Sequence, residues 1–319
     1  MNNVAFIIPH MGRESLLLET LDSIVTLNRT SFDLSVVVVS KNETFSDVLL
    51  AYTNTLNIVF LKVDSNVTIS DQRNIGVQNT KAEYLAFIDA DIELSHNWLE
   101  EMYALIKQPN IVLASAIQLA SKSPTQLEHV RVRLSNLSTD CEMEFLPGRN
   151  LFLSFDTFSK SGGFPSELVT CEDYVFTQKV SQQGKLYYSS KASYIHLGED
   201  KKYWPMAKKE VWRGQSNLAS IKGRKVPVSE YPSFIAPPLF TLGILWALVF
   251  ILFGKVAIAT IGFVGALLIL LVYTFRLWKK QLRYPSLFAI LGFYALYFPA
   301  RTIGTVLGAL KTLDSGVYK

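Results

Sequence analysis

Two adjacent stretches without charge constrain this chain more than any other feature. From Tyr231 to Phe275 the only charged residue is Lys255. Ser233–Phe253 and Val256–Phe275 each run ~20 residues, enough to cross a hydrocarbon core of about 30 Å as helices. A backbone in lipid must satisfy its own hydrogen bonds, so helices are the expected form. Two buried helices of a soluble core are the competing reading, and neighbouring uncharged runs of this length argue against it. A third apolar run, Ser286–Ala300, contains Pro299 and stops at Arg301; Thr302–Leu310 then adds small and apolar residues before Lys311. This run either crosses the bilayer or lies in its interface with Arg301 reaching to water.

Composition agrees with a membrane-bound protein. Charged residues make up 18% of the chain, below the roughly 25% of soluble domains, and the mean hydropathy is +0.23. So much apolar surface excludes a disordered chain. Two cysteines, Cys141 and Cys171, exclude a disulfide scaffold, and a net charge of +4 is too small to argue for a nucleic-acid partner. Lys201, Lys202, Lys208, Lys209, Arg213, Lys222, Arg224 and Lys225 precede the first span, and Arg276, Lys279, Lys280 and Arg283 follow the second. The turn between them carries only Lys255. Positive-inside then places residues 1–230 and the 276–285 loop in the cytoplasm of a bacterial-type plasma membrane. Val4–Ile8 followed by Pro9, His10 and Gly12 is not a signal peptide. The sequons at Asn28, Asn42, Asn66 and Asn136 would on this topology stay unmodified.

The expected division is therefore a cytoplasmic domain over 1–230 and a membrane region over 231–319 with two or three hydrophobic helices. Within the first, Val4–Ile8, Leu34–Val39, Ile58–Val63 and Tyr84–Ile88 read as strands. Leu16–Leu27 and Ser70–Thr80 read as helices between them. Continuous apolar strands alternating with helices predict an α/β fold with a mostly parallel sheet covered on both faces. Ligands of such sheets bind beyond the carboxyl ends of the strands. The polar residues there are Pro9-His10, Ser40-Lys41-Asn42, Asp64 and Asp89-Ala90-Asp91.

Asp89 and Asp91 end the strand Tyr84–Ile88. Carboxylate pairs of this kind suit Mg²⁺ or Mn²⁺ shared with phosphate, although aspartate also caps turns at strand ends. About 80 residues later come Gly162-Gly163-Phe164-Pro165 and then Thr170-Cys171-Glu172-Asp173-Tyr174. Glu172 and Asp173 open a helical segment, where acids are favoured by the helix dipole; a carboxylate facing a crevice could also serve as a general base.

In order and spacing these fragments resemble family 2 glycosyltransferases of the inverting, GT-A-fold type with C-terminal membrane helices. The resemblance covers most of residues 4–213. It runs through Val4–Pro9, Arg13, Leu21-Asp22-Ser23, Val36–Val39, Gln72-Arg73-Asn74-Ile75-Gly76, Ala86–Asp91, Gly162-Gly163-Phe164 and Glu172-Asp173. It implies a nucleotide-diphospho-sugar transferase fold and donor contacts from Pro9, Arg13, Ser40, Arg73, Asp89, Asp91 and Gly163. It further implies an Mn²⁺ or Mg²⁺ ion on Asp91, Asp89 and His196, with Asp173 beside Glu172 as the catalytic base. His196 is open between metal ligation and packing at a strand end, and Trp212-Arg213 between an acceptor-side contact and a membrane-surface anchor.

Two departures from the family pattern stand out. Relatives usually carry an aspartate for the base after the second strand, where this chain has Ser40-Lys41-Asn42; Asp64 is a candidate substitute. The Gln-x-x-Arg-Trp sequence of processive polymer synthases is missing, which favours transfer of one sugar. A membrane tail suggests a lipid-linked or membrane-proximal acceptor in cell-surface polysaccharide or glycolipid synthesis, and the Lys201–Lys225 stretch could hold the active site against anionic headgroups. Two other classes remain at this level: a catalytically silent relative that binds a nucleotide sugar or a partner enzyme, and an Mg²⁺-dependent phosphoryl-transfer enzyme. The second would need a lysine and further acids in an order this chain lacks.

Overall fold

The computed structural model describes residues 1–221, 226, 228–279 and 285–314. Lys222, Arg224, Lys225, Lys280 and Arg283, which weigh in the expected topology, lie outside them. The chain runs β1 (Asn2–His10), α1 (Glu14–Val25), β2 (Phe32–Ser40), α2 (Asp47–Leu50), β3 (Asn57–Lys62), α3 (Ile69–Gln78), β4 (Tyr84–Ile88) and β5 (Ile92–Leu94). It continues through α4 (Trp98–Ile106), β6 (Ile111–Leu119), α5 (Gln126–Ser135), β7 (Cys141–Met143), β8 (Asn150–Ser154), α6 (Phe155–Ser161), α7 (Glu172–Ser181) and β9 (Lys185–His196). Four helices follow: α8 (Tyr203–Gly214), α9 (Tyr231–Leu252), α10 (Val256–Trp278) and α11 (Leu287–Asp314).

Its contacts group into two compact units. One is Met1–Ser121 with Ser138–Gly198; the other is Lys122–Leu137 with Glu199–Lys319. The second unit therefore takes α5 and α8 as well as the three apolar helices.

The first unit is built on one mixed sheet in the order β3-β2-β1-β4-β8-β6-β9-β5, with β7 on β9. β3, β2, β1 and β4 are parallel, as their continuous apolar runs predict. Beyond β4 the sheet changes character: β8 is antiparallel to β4 and to β6, and β5 and β7 are antiparallel to β9. Alternate residues of each strand feed two cores. Phe6, Ile8, Val36, Val38 and Ile88 pack with Leu17, Leu21 and Trp98 on one face. Ile7, Val37, Val39 and Phe87 pack with Val77, Phe158, Phe164 and Phe176 on the other. Both faces are covered, so the strands read as unbroken apolar runs.

In the second unit α9, α10 and α11 are each long and apolar enough to cross a membrane. Leu239, Leu242, Leu245, Ile251, Ile261 and Val272 point outward. An apolar surface of this extent suits lipid and not water. α9 and α10 pack closely at small residues: a Cβ on Gly243 would lie 2.9 Å from the Gly262 carbonyl oxygen. α11 continues as helix through Pro299, joining the two segments that the sequence separates at Arg301.

Candidate active site

The carboxyl ends of β1, β2 and β4 and the turn into α7 bring the charged residues of the first unit together. β1 and β2 end in register, with Pro9 opposite Val39 and His10 opposite Ser40. His10 Nδ1 lies 2.9 Å from Ser40 Oγ, which also accepts the Asn42 N–H at 3.0 Å. Asn42 Oδ1 in turn accepts the Gly12 N–H at 2.7 Å. Burial pushes the His10 imidazole below its ordinary value and keeps it neutral. Ser40 is fully buried, so its hydroxyl fastens the two loop ends to each other.

Arg73 occupies the centre. It comes from α3, is 1% exposed, and donates from Nη2 to Asp89 at 3.0 Å and from Nη1 to Glu172 at 2.8 Å. Its guanidinium lies 4.9 Å over the Phe164 ring. The arginine thus spans from the end of β4 to the start of α7. Next to it, Asn74 donates to the Phe164 carbonyl at 2.8 Å and accepts the Phe164 N–H at 3.0 Å, clamping the Gly162-Gly163 loop. Gly163 has φ +74, and a Cβ there would lie 2.9 Å from Asn74 Oδ1.

Asp173 sits behind Glu172. Its Oδ2 accepts the Gly148 N–H at 3.1 Å and its Oδ1 the Tyr174 N–H at 3.0 Å. Burial pushes its carboxyl above the ordinary range; the Gly148 N–H and the Arg73 charge oppose this without cancelling it. Burial, with the charge of Asp173, raises Glu172 as well, against the pull of Arg73. Cys171, just before them, is held at φ 64, in the left-handed region costly for a residue with a Cβ.

A second cluster forms around Asp91. Arg13 Nη2 donates to its Oδ2 at 3.0 Å, and His196 Nε2, at the end of β9, lies 3.3 Å from its Oδ1. Burial disfavours the Asp91 anion, but the bonds and charges of His196 and Arg13 outweigh it and hold the carboxyl below the ordinary range. Arg13 too has a left-handed backbone, φ 31.

Residues 5–159 match the family described as Glycosyl transferase family 2. The chain carries a glycosyltransferase family 2 domain. No match was found among curated proteins. Among solved structures the glycosyltransferase resembles S. aureus TarS 1-349 in complex with UDP-GlcNAc, at 17% identity and a TM-score of 0.53, covering 99% of this chain and 92% of that one. It also resembles the mannosyltransferase PcManGT from Pyrobaculum calidifontis in complex with GDP-Man and Mn²⁺, at 16% identity and a TM-score of 0.56, covering 97% and 86%. At these identities the likeness establishes the fold, which is GT-A.

The family match ends before Glu172-Asp173, so only the geometry ties those two acids to the matched part. Of the three expected metal ligands, Asp91 and His196 face each other, while Asp89 turns to Arg73. Among the described residues no three His, Cys, Asp or Glu side chains converge on one point. Asp91 and His196 nevertheless fit a divalent ion. Gly198 packs directly against Asp91: a Cβ there would overlap the Asp91 carboxylate and lie 2.8 Å from Arg13 Nη1, so the glycine lets the carboxylate take this position. One ionised carboxylate and one imidazole would leave most positions of such an ion to phosphate and water.

The resemblance implies a donor contact for Arg73; in the structure its guanidinium is buried and bonded to Asp89 and Glu172. Gln72, Asn74, Gly148 and Gly198 had no assigned role. For the first two the signal was present, since they flank Arg73 in the quoted motif. For the glycines only the packing reveals it.

Proposed function

We propose that the protein transfers a single sugar, with inversion, from a nucleotide-diphospho-sugar to a hydroxyl or phosphate oxygen of a membrane-associated, lipid-linked acceptor. The Asp89–Arg73–Glu172 bridge carries this reading: two bonds of 3.0 and 2.8 Å join the strand-end acids to the acids of α7. Donor-side and acceptor-side chemistry thereby share one charged core. The nucleotide-sugar donor and the divalent ion are also supported by the ligands of the two related structures, UDP-GlcNAc in one and GDP-Man with Mn²⁺ in the other.

On this reading Asp173 removes the proton of the attacking hydroxyl. Two backbone N–H groups fix its carboxylate, and burial makes it a stronger base than an exposed aspartate. Attack from the face opposite the diphosphate inverts the anomeric centre in one displacement, so Cys141 and Cys171 take no covalent part. Asp91 and His196 would hold the Mn²⁺ or Mg²⁺ ion, which stabilises the charge that builds on a departing diphosphate. Arg13, which is largely exposed, is free to turn from Asp91 to a phosphate.

The catalytic unit faces the cytoplasm on this proposal. Lysines and arginines flank α9 and α10 on the side of their outer ends, and the turn between them holds only Lys255. An enzyme so placed suits assembly of a surface polysaccharide or glycolipid.

The test is a thermal-shift screen of UDP-, GDP-, dTDP- and CMP-sugars with and without Mn²⁺, because a ligand of the native state raises Tm by mass action. A shift with one donor that needs Mn²⁺ and disappears in Asp91→Ala is the expected result. No shift with any donor, in protein that melts cooperatively, would sink the proposal.

A further inference from the structure

Within the second unit, α11 has different surroundings from α9 and α10. The most apolar stretches of α9 and α10 are 22% and 17% buried, and that of α11 is 39% buried. α8 and the turn after it follow α11 along most of its length. Tyr203 Oη donates to the Ala289 carbonyl at 3.1 Å, and Glu210 lies 3.6 Å from Arg301 Nε. Asn217 donates to Thr305 Oγ1 at 2.9 Å, and Lys311 Nζ to Gln215 Oε1 at 2.7 Å. The backbones meet at glycines. A Cβ on Gly304 would lie 2.9 Å from Gly214 Cα, and one on Gly308 2.7 Å from the Gln215 carbonyl carbon. Contacts from Ala289 to Lys311 mean that α8 must go wherever α11 goes.

Hydrocarbon is closed to α8. Lys201, Lys202, Lys208 and Lys209 are exposed on and just before it. Under them Glu210, 2% exposed, faces Arg213 at 2.6 Å, Arg131 at 3.5 Å and Arg301. Arg131 also reaches Glu199 at 3.2 Å, and Lys209 reaches Asp200 at 2.7 Å. Free ammonium groups lose their hydration in a lipid core, and exposed charges are rare there. A bilayer-crossing α11 would drag these lysines in with it.

We infer that α11 does not cross: α8 and α11 lie together in the headgroup layer of an anionic bilayer, and the chain crosses that bilayer twice, by α9 and α10. Trp204, Lys208 and Trp212 repeat every four residues on the outward side of α8, the tryptophans 65% and 52% exposed. Glu210, the single acid of α8, is buried, so the outward face is cationic and aromatic, the chemistry of an anionic membrane surface. Ile303, Val306 and Leu310 point outward from α11 and supply the part that dips among the acyl chains. The inference rests on the reading that α9 and α10 span.

Sidedness tests it. In a Cys141→Ser/Cys171→Ser background, Glu43→Cys, Lys255→Cys and Lys311→Cys are probed singly with a membrane-impermeant maleimide, before and after permeabilisation. All three positions are exposed. Glu43→Cys and Lys311→Cys are expected to label on one side and Lys255→Cys on the other; Lys319→Cys, farther along the chain, repeats the reading should Lys311→Cys fold poorly. Lys311→Cys labelling with Lys255→Cys would overturn the inference while leaving the two spans intact. Lys255→Cys labelling with Glu43→Cys would remove the spans themselves, and the inference with them. For the lipid, a spin label at Trp212→Cys should sit at headgroup depth in bilayers containing phosphatidylglycerol and withdraw to water in phosphatidylcholine alone. Lys201→Gln/Lys202→Gln/Lys208→Gln should abolish the difference. Equal depth in both bilayers would refute the anionic assignment.

Discussion

Replacing Arg73 by methionine removes a buried cation from between two carboxylates. The side chain is 1% exposed, bonds Asp89 at 3.0 Å and Glu172 at 2.8 Å, and covers the Phe164 ring. Breaking a buried pair by deleting one partner costs about 3–5 kcal/mol, and methionine is long enough to keep the cavity contribution small. Arg73→Met is therefore expected to lose about 3–5 kcal/mol of unfolding free energy. Arg73→Lys keeps the charge, but one ammonium cannot fork to both carboxylates; its loss is about 1.5–3 kcal/mol, that of one charged hydrogen bond. Activity separates the variants further. Burial raises the Asp173 carboxyl and the Arg73 charge holds it down. In the role proposed for Asp173 the base works ionised, so the rate should climb as pH rises through this raised value. Loss of the cation raises it again. The acid limb of kcat/KM, followed with a radiolabelled donor, should move to higher pH in Arg73→Met and stay nearly in place in Arg73→Lys. An unmoved acid limb in a folded Arg73→Met would refute the electrostatic link between Arg73 and Asp173.

Asp173→Asn keeps the shape and removes the proposed base; kcat should fall by ~10²–10⁴-fold while donor binding, read by thermal shift, persists. Gly198→Ala puts a methyl against Asp91 and Arg13, so Mn²⁺-dependent stabilisation should weaken at a cost of about 1–3 kcal/mol in folding, and unchanged Mn²⁺ titration would disprove the proposed part of Asp91 in holding the ion. Asn74→Ala frees the Phe164 loop from both its amide bonds; a loss of about 1–3 kcal/mol and a KM that rises more than kcat falls are expected from activity and urea unfolding.

The parallel half of the sheet was legible because its signal is local. Val4–Ile8, Leu34–Val39 and Tyr84–Ile88 are apolar runs between turn residues, and each lies inside an observed strand. The other half was not, since β5 and β7 are three residues each and take their identity from pairing with β9. Apolar content marked α9 and α10, and their observed bounds differ from the sequence runs by a few residues at the ends. Arg301 ends the apolar run in sequence, yet the helix continues past it, and the charge of Arg301 is met by a buried acid from α8. At the site, Asp91 and His196 are 105 positions apart in sequence, and only the register of Ile92 with His196 makes them neighbours.

The contiguity of Gln72, Arg73 and Asn74 has a geometric cause. Successive helix residues turn by about 100°, so three in a row cannot face one groove. They can all serve one site only if the helix start is surrounded by it, and α3 is. Gln72 donates both amide hydrogens, to the His10 carbonyl at 3.1 Å and the Val39 carbonyl at 2.7 Å, tying β1 to β2. Arg73 ties β4 to α7, and Asn74 holds the Gly163–Phe164 loop. Two features put the helix where this is possible. Thr68 and Asp71 form a reciprocal cap that fixes its first turn. Gly76 lets it lie against β1, where a Cβ would overlap the Ile7 side chain. A short polar motif thus reads as a functional signature from sequence because one helix end fastens the β1, β2 and β4 ends, the Phe164 loop and the start of α7. Its residues act through the loops they hold, which is why their substitution should alter binding and pH dependence before it alters chemistry at the reacting atoms.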